Sequence, residues 1–295
     1  MKLHGAEIVD TFAEAFPMCG SRVLITAATP AWALEAGRTM TGFATSVIGC
    51  KCEASIEREL APDETPDGRP GVSALVFAMD REGVGKRLVD RVGQCVLTAP
   101  TAACFNGVDA EDTVDVGGQL RFFGDGFQAS KVLDGQRYWR VPVMEGEFLV
   151  QQRFGVVEGV AGGNIIMLGR DAESALGAAE AAAAAMRSVE GVIMPFPGGI
   201  ARSGSKVGSR YSALPASTND VLCPTLRGQV EHTEVPPDVE AVFEIVIDGL
   251  ALEPVREAMR RGLVAAAEAG ASHVTAGNYG GNLGPYHIHL RELVP

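Results

Sequence analysis

The sequence predicts an α+β protein built from two ferredoxin-like lobes in tandem, each with the split βαβ order of elements. Three observations support this fold class. The chain has 295 residues, which is enough for two domains of ordinary size. Hydrophobic residues make up 46% of it, as expected for a globular protein. Its apolar pattern switches repeatedly between strand and helix periods, and each half of the chain follows the order β-α-β, loop, β-α-β.

The elements of the first half follow from these switches of period. Pro30 stands at a first helical position, and Leu88, Val92 and Val96 recur at helical spacing, so each group marks a helix. Short β-branched and apolar runs predict strands. In chain order the predicted elements are a strand at 22–28, a helix at 30–40, a strand at 43–50, a turn-rich loop at 61–71, a strand at 72–79, a helix at 81–99, and a strand with a turn at 119–127.

The second half repeats this order. Asp171 is a candidate N-cap, and Gly191 and Gly270 are candidate helix stops. We place the domain boundary so that the lobes are residues 1–150 and 151–295. A doubly wound parallel sheet is the alternative, but no G-x-G-x-x-G follows a strand. The predicted elements are a strand at 156–169, a helix at 171–191, a short strand at 192–196, a strand at 239–247, a helix at 252–270, and strands at 273–281 and 286–290.

Composition and charge argue against several classes of protein. The net charge of −12 repels phosphate backbones and disfavours a nucleic-acid partner. The first residues include acidic side chains and lack a long apolar core, which disfavours a signal peptide. The longest run of small apolar residues, 175–186, contains Glu180 and is too short to span a bilayer. We therefore expect a cytoplasmic protein without a membrane partner.

Glu244 is the candidate catalytic residue. By strand alternation it shares one face with Val242, Val246 and Asp248. Two interpretations stay open from spacing alone. The carboxylate could face solvent, or its apolar neighbours could partly desolvate it and raise its pKa into the range for proton transfer near neutral pH. The chain has no G-x-S-x-G elbow and no Cys/His nucleophile motif, so nothing in it indicates a covalent acyl-enzyme.

Glycine-rich segments are the candidate ligand loops. In the segment 198–209, Lys206 stands one place too late for a Walker phosphate loop. The segment 275–284 combines glycines with Asn278 and Asn282. These two amides could recognise a pterin-like ring edge, or they could simply cap the local backbone.

Metal ligands are sparse in the sequence. His287 and His289 share a strand face, but a metal site needs a third ligand. Cys50 and Cys52 form a C-x-C pair without a second cluster. We therefore expect no metal site, and we expect the six cysteines to be free thiols.

Blocks along nearly the whole chain resemble the formylmethanofuran:tetrahydromethanopterin formyltransferase family. None of these blocks is a general motif, so their occurrence in one order is specific. Similarity is weaker at 50–60, 104–117 and 226–238. The matching blocks include TPDGRPGV (65–72), FFGDGFQ (122–128), PFPGGI (195–200), SKVGS (205–209), LPASTND (214–220), EIVIDGL (244–250) and AGNYGGNLGPYHIHL (276–290).

The resemblance implies a reaction and a site. In the family a formyl group moves between the amine nitrogen of methanofuran and N5 of tetrahydromethanopterin, both as co-substrates, with no metal or prosthetic group. A glutamate in the matching strand is the family's proposed acid and base, and it maps to Glu244. Ser205 becomes a candidate oxyanion contact. The candidate substrate-binding residues are Lys206, Gly198, Gly199, Asn278, Asn282 and Asp125.

The resemblance also implies a homo-oligomer, typically a tetramer, with substrates in a cleft at a subunit interface. The Ala- and Arg-rich composition favours a bacterial role in formaldehyde oxidation to formate, with hydrolase-complex subunits as partners, over methanogenesis. Two alternatives stay open. The chain could be a structural subunit that has lost turnover, or a ferredoxin-like module that binds a small regulatory molecule.

Overall fold

The computed structural model describes residues 1–294, which form a mixed α+β fold. The largest sheet has 14 strands, and two further ribbons have two strands each. The helix α3 continues directly into a π-helical turn, Val92–Val96. The helices are α1 Pro30–Thr41, α2 Val47–Cys50, α3 Arg81–Arg91, α4 Gly117–Leu120, α5 Ala172–Met186, α6 Leu252–Glu268 and α7 Leu290–Leu293. The strands are β1 Lys2–Leu3, β2 Ala6–Ile8, β3 Phe12–Thr26, β4 Glu53–Leu60, β5 Gly71–Ala78, β6 Ala103–Asn106, β7 Thr113–Asp115, β8 Ala129–Leu133, β9 Gln136–Val143, β10 Gly146–Gln151, β11 Arg153–Gly155, β12 Val157–Gly169, β13 Val192–Ile193, β14 Ser205–Val207, β15 Ala216–Thr218, β16 Ala241–Gly249, β17 His273–Thr275 and β18 Tyr286–His289.

The long strand β3 connects the two halves of the large sheet. Its first part pairs with β12 and β18, and its second part pairs with β5 and β6. The strand β12 in turn pairs with β16 and β17. Most pairings are antiparallel, with parallel pairing between β6 and β10 and between β2 and β17. This pairing rules out the doubly wound parallel sheet.

Two large apolar clusters pack against this sheet. One contains buried residues between positions 23 and 156, including side chains of α1 and α3. The other surrounds α5 and α6, where the alanines of α5 permit close contact between the two helices. Residues 6–15 contribute to this second cluster together with residues 160–293. The domain boundary at residue 150 stays a prediction. It does not account for residues 6–15, which precede the boundary but pack in the second cluster.

Two predicted strands are helical in the structure. The stretch 43–50 contains α2 because the Ser46 side chain caps the Ile48 amide and the Glu53 carboxylate accepts the Val47 amide. In the stretch 119–127, residues 119–124 lie in helical turns, and the Asp115 carboxylate accepts the Gly118 amide at 3.0 Å at the start of these turns. In both cases a side-chain cap outweighs the local preference of apolar residues for a strand. The strands β8 to β10 are further elements that the apolar pattern does not predict.

The sheet face opposite α5 and α6 is covered in two ways. Near the start of β16, residues of the segment 221–239 pack on Ile166 and Leu168 of β12. Near its end, a cluster that includes Leu75 and Phe77 from the other half covers the sheet. The stretch of β16 between these two covers carries the candidate catalytic residue.

Candidate active site

Glu244 lies in the middle of β16, opposite Ile166 of β12. Ile245 and Ile247 on the alternate face are 0% exposed within the helix-facing core. Glu244 therefore points to the other face of the sheet, where it is partly buried. Its backbone forms two hydrogen bonds with Ala201, of 2.8 and 3.0 Å. These bonds attach the segment 201–204 beside the glutamate.

The Glu244 carboxylate borders a small cavity of about 50 Å³ that Gly204, Asn219 and Cys223 also line. Among residues 1–294 no side-chain or backbone donor hydrogen-bonds to this carboxylate. Burial without a compensating donor raises the pKa of Glu244 to about 7. A carboxyl in that range can donate or accept a proton near neutral pH.

Gly204 allows the loop to approach the carboxylate closely. A Cβ at this position would lie 2.8 Å from Oε2 of Glu244. Any side chain there would displace the carboxyl group or the loop. The segment 201–204 thus forms a wall that both desolvates Glu244 and fixes its position.

Ser205 and Lys206 follow this wall directly and begin β14. Ser205 is exposed, and its carbonyl accepts a hydrogen bond of 3.2 Å from the Tyr279 hydroxyl. The Lys206 ammonium lies 2.6 Å from Oδ1 of Asp220. This hydrogen bond lowers the pKa of Asp220. The structure therefore places Ser205 beside the Glu244 wall and engages Lys206 with Asp220.

Gly198 and Gly199 form the turn that leads into the wall. Both have positive φ angles, of 64° and 86°. Gly198 lines a second cavity of about 670 Å³ between this turn and α5. Ala201, Arg202 and Phe243 border both cavities, so the segment 198–204 separates them.

Glu14 on β3 is a buried carboxylate that the sequence did not reveal as a site residue. It is 1% exposed, and its hydrogen-bond partners are backbone amides 265 or more positions away. Burial alone would raise the pKa of Glu14, but the hydrogen bonds lower it below its ordinary value. The donors are the amides of Tyr279 (2.7 Å), Gly281 (3.1 Å), Leu283 and Gly284 (2.9 Å).

Asn278 and Asn282 lie in the loop 277–284 that Glu14 holds. The Asn278 amide donates to Oγ1 of Thr11 at 3.0 Å. The Asn282 amide donates to the carbonyls of Tyr279 and Gly280, each at 3.2 Å. Both side chains therefore hydrogen-bond within the protein, and their contact with a substrate stays a prediction.

Asp125 lies in the other half of the molecule. It is exposed and has the left-handed backbone conformation, with φ of 51°, at the end of a helical turn. The structure does not bring it together with Glu244 in a shared cavity.

A second pair of acids is buried at the junction of the two halves. Asp248 on β16 is 0% exposed and Glu53 on β4 is 7% exposed. Burial raises the pKa of Asp248 strongly, and the adjacent Glu53 charge raises it further. Burial also raises the pKa of Glu53. Within residues 1–294, Oδ2 of Asp248 has no donor, so a hydrogen bond between the two carboxyls requires a proton.

The described residues contain no group of three or more His, Cys, Asp or Glu side chains arranged to hold a metal ion. His287 packs against the Phe12 ring, with centroids 4.7 Å apart. No helix within residues 1–294 has both the length and the apolar character needed to cross a membrane.

Two family models match consecutive parts of the chain, and together they define a group-transfer enzyme. The model for formylmethanofuran-tetrahydromethanopterin formyltransferase matches residues 1–143. The model for the proximal lobe of the same protein matches residues 146–293. The chain belongs to the formylmethanofuran–tetrahydromethanopterin formyltransferase family.

Individual relatives agree over the full length. The chain is 57% identical to the formyltransferase of Methylococcus capsulatus, with 100% of both chains covered. It is 52% identical to one subunit of the formyltransferase/hydrolase complex of Methylorubrum extorquens, covering 99% of this chain and 97% of that protein.

Two solved structures share the fold. The formyltransferase from Methanosarcina barkeri superposes with a TM-score of 0.94 at 49% identity, covering 99% of this chain and 100% of that one. The formyltransferase/hydrolase complex from Methylorubrum extorquens, solved with methylofuran, has a chain that superposes with a TM-score of 0.97 at 51% identity, covering 100% and 99%.

Proposed function

We propose that this enzyme transfers a formyl group between N5 of tetrahydromethanopterin and the amine nitrogen of methanofuran, with Glu244 as general acid and base. Family membership supports the reaction. The observation that supports the role of Glu244 is its carboxyl group, which borders a cavity, lacks a hydrogen-bond donor within residues 1–294, and has a pKa of about 7.

The chemistry requires one proton acceptor and one proton donor. When the pterin N5 attacks the formyl carbon of formylmethanofuran, a new C–N bond forms and negative charge develops on the formyl oxygen. The tetrahedral intermediate then loses the methanofuran amine, which must take up a proton as the old C–N bond breaks. Glu244 accepts the proton that N5 releases and delivers it to this amine, so the carboxyl returns to its starting state. The reverse direction uses the same steps in the opposite order.

The neighbouring residues have roles of two kinds in this proposal. The Ser205 hydroxyl and nearby backbone N–H groups stabilise the oxyanion. Gly198 and Gly199 let the backbone approach a substrate. Lys206 leaves its ion pair with Asp220 and binds an acidic part of a carrier instead. Asn278 and Asn282 act through the shape of their loop. Asp125 contacts a substrate only if the binding cleft extends to its half of the molecule.

The variant Glu244→Gln tests this proposal. It keeps the shape of the side chain but removes the transferable proton, so turnover is expected to fall roughly 10²–10⁴-fold. Formyl transfer between the two carriers is measured in parallel with Glu240→Gln, which alters an exposed carboxylate just before β16. Wild-type turnover in Glu244→Gln would refute the role of Glu244. No transfer by the wild-type chain would instead support the structural-subunit alternative.

The proposal extends to architecture and assembly. We propose two ferredoxin-like lobes, residues 1–150 and 151–295, and a homotetramer without a bound cofactor. Exposed Phe122, Phe123 and Phe127 support a self-associating surface. Similarity to a chain of the Methylorubrum extorquens complex supports association with hydrolase subunits. Light scattering of the purified chain tests the homotetramer, and co-purification of further subunits from the native source tests the association with hydrolase subunits.

A further inference from the structure

Glu14 holds the loop 277–284 in a way that no other side chain does among residues 1–294. Each of its two carboxylate oxygens accepts hydrogen bonds from two backbone N–H groups of this loop. Hydrogen bonds to a charged acceptor are stronger than neutral ones, and here four of them converge on one buried group. Such an arrangement satisfies the carboxylate and removes the freedom of the loop at the same time.

The loop needs this anchor because its own sequence favours no single conformation. Glycines at 277, 280, 281 and 284 give its backbone many accessible states. Its other polar contacts are short-range bonds of Asn282, the contacts of Asn278 and Asn164, the bond of the Tyr279 hydroxyl, and one bond from the Glu14 backbone amide to the Gly277 carbonyl. At Gly284 a Cβ would overlap the carbonyl of Ala15, so the loop lies directly against β3.

The anchored loop reaches the wall beside Glu244. The Tyr279 amide is bound by Glu14, while its hydroxyl donates to the Ser205 carbonyl at 3.2 Å. Ser205 follows Gly204, the residue that abuts the Glu244 carboxylate. Asn164 of β12 fixes the start of the loop to the sheet, since its Oδ1 accepts the Gly277 amide at 2.6 Å. The contacts are therefore continuous from Glu14 to the wall.

We propose that Glu14 is a positioning residue for formyl transfer, which fixes the loop 277–284 so that Tyr279 holds the segment 204–205 against Glu244. This inference rests on the proposed role of Glu244. Without the anchor, the Gly204 end of the wall loses the Tyr279 bond to Ser205 and moves away from the carboxyl group, so water enters, while the Ala201 bonds still hold the other end of the wall. The Glu244 carboxyl is then less desolvated and is held less accurately against the reacting nitrogens. Misplacement of this kind is costly, since an error of about 1 Å can lower a rate roughly 10²-fold.

The test uses Glu14→Gln, Tyr279→Phe and the double variant. Glu7→Gln is the matched control, because Glu7 is an exposed carboxylate on β2, the strand that precedes β3 in the chain. We expect Glu14→Gln to lower kcat about 10²-fold and Tyr279→Phe about 10-fold. The double variant should lose less than the product of these factors, because both changes act through one loop. In both single variants the pH limb of kcat/KM near neutrality should move to lower pH, since Glu244 becomes better solvated.

Each other outcome has a definite meaning. A pH limb that stays at its wild-type position in both variants, or losses that multiply in the double variant, would overturn the proposal. If Glu14→Gln does not fold, two other measurements test the proposal: the pH limb of kcat/KM in Tyr279→Phe and hydrogen exchange of the wild-type enzyme. Slow exchange of the four bound amides supports the anchor, and exchange as fast as in an open loop overturns it. Failure of the catalytic assignment itself would appear separately, as wild-type turnover in Glu244→Gln.

Discussion

The loop 277–284 and the segment 201–204 each pack around a glutamate, but the two carboxyl groups reach opposite states. Glu14 accepts four backbone amides, and its pKa lies below the ordinary value. Glu244 has no donor within residues 1–294, and its pKa rises to about 7. Burial is common to both sites. The number of N–H groups that point at the carboxylate therefore decides whether its pKa is lowered or raised.

The pair of Glu53 and Asp248 adds a third state to this comparison. These two acids have each other as neighbours at the junction of the two halves, and both pKa values are raised. One proton shared between them would relieve both the repulsion and the lack of a donor at Oδ2 of Asp248. All three sites lie on strands of one sheet, so the loops and the opposing strands around each carboxyl produce the difference.

The largest effect on stability is expected for Glu14→Gln. The amide keeps one acceptor oxygen but turns an NH₂ group toward two N–H donors, so the free energy of unfolding should fall by about 3 kcal/mol at neutral pH. The folded-state pKa of Glu14 lies below its ordinary 4.5. The wild-type advantage is therefore full above pH 4.5 and disappears as pH falls through the folded-state pKa. Urea unfolding at several pH values measures this, and an equal loss in Glu7→Gln would contradict it.

The opposite sign is expected for Glu244→Gln. The folded-state pKa of about 7 exceeds the ordinary 4.5, so the wild-type protein loses stability as pH rises between these values. The glutamine variant avoids this loss. Because Glu244 is partly exposed, we expect a gain of about 2 kcal/mol well above pH 7, and no gain below pH 4.5. The same urea series tests it, with Glu240→Gln as the control. A variant less stable than wild type at alkaline pH would show that burial does not oppose the charge.

The sequence predicts those parts of the fold that depend on local pattern. Pro30 opens α1 as expected, and Asp171 caps α5 by accepting the Ser174 amide at 2.7 Å. The strands near 72–79, 156–169 and 239–247 follow from apolar runs in the same way. The helical turns at 47–50 and 117–124 escape prediction, because a carboxylate or hydroxyl cap overrides the strand preference of their residues.

The candidate active site likewise has a part that the local sequence pattern predicts and a part that it does not predict. Strand alternation places Glu244 and Asp248 on one face, and the structure agrees, because the alternating residues Ile245 and Ile247 lie in the helix-facing core. It cannot show which of them meets a hydrogen-bond donor, because donors come from distant segments. Glu14 is the clearest case, since 265 residues separate it from Tyr279. The one local signal is that Glu14 is an acid between Ala13 and Ala15 in an apolar strand. Both alanines are 0% exposed.

A moderate effect on turnover is expected for Gly204→Ala. The added Cβ would lie 2.8 Å from Oε2 of Glu244, so the carboxyl must move while the backbone can stay. We expect about a 10-fold loss of kcat. Unfolding should change little, because the end of a flexible side chain can yield. Gly228→Ala is the control, since its Cβ would meet no atom within 4 Å. Equal turnover in the two variants would mean that catalysis tolerates a displaced Glu244 carboxyl group.

The smallest expected effect is a change in KM that distinguishes two roles of Lys206. Measuring it requires the variants Lys206→Met and Asp220→Asn side by side. In the structure the two side chains form an ion pair of 2.6 Å, with exposures of 41% and 22%. If the pair only fastens β14 to its neighbouring segment, both variants lose the same small amount of thermal stability and keep the wild-type KM. If Lys206 also binds an acidic carrier, Lys206→Met raises KM a few-fold, whereas Asp220→Asn frees the ammonium and leaves KM equal or lower. Substrate binding by Lys206 requires this asymmetry, and a symmetrical result would limit the binding surface of the segment to Ser205 and the glycines.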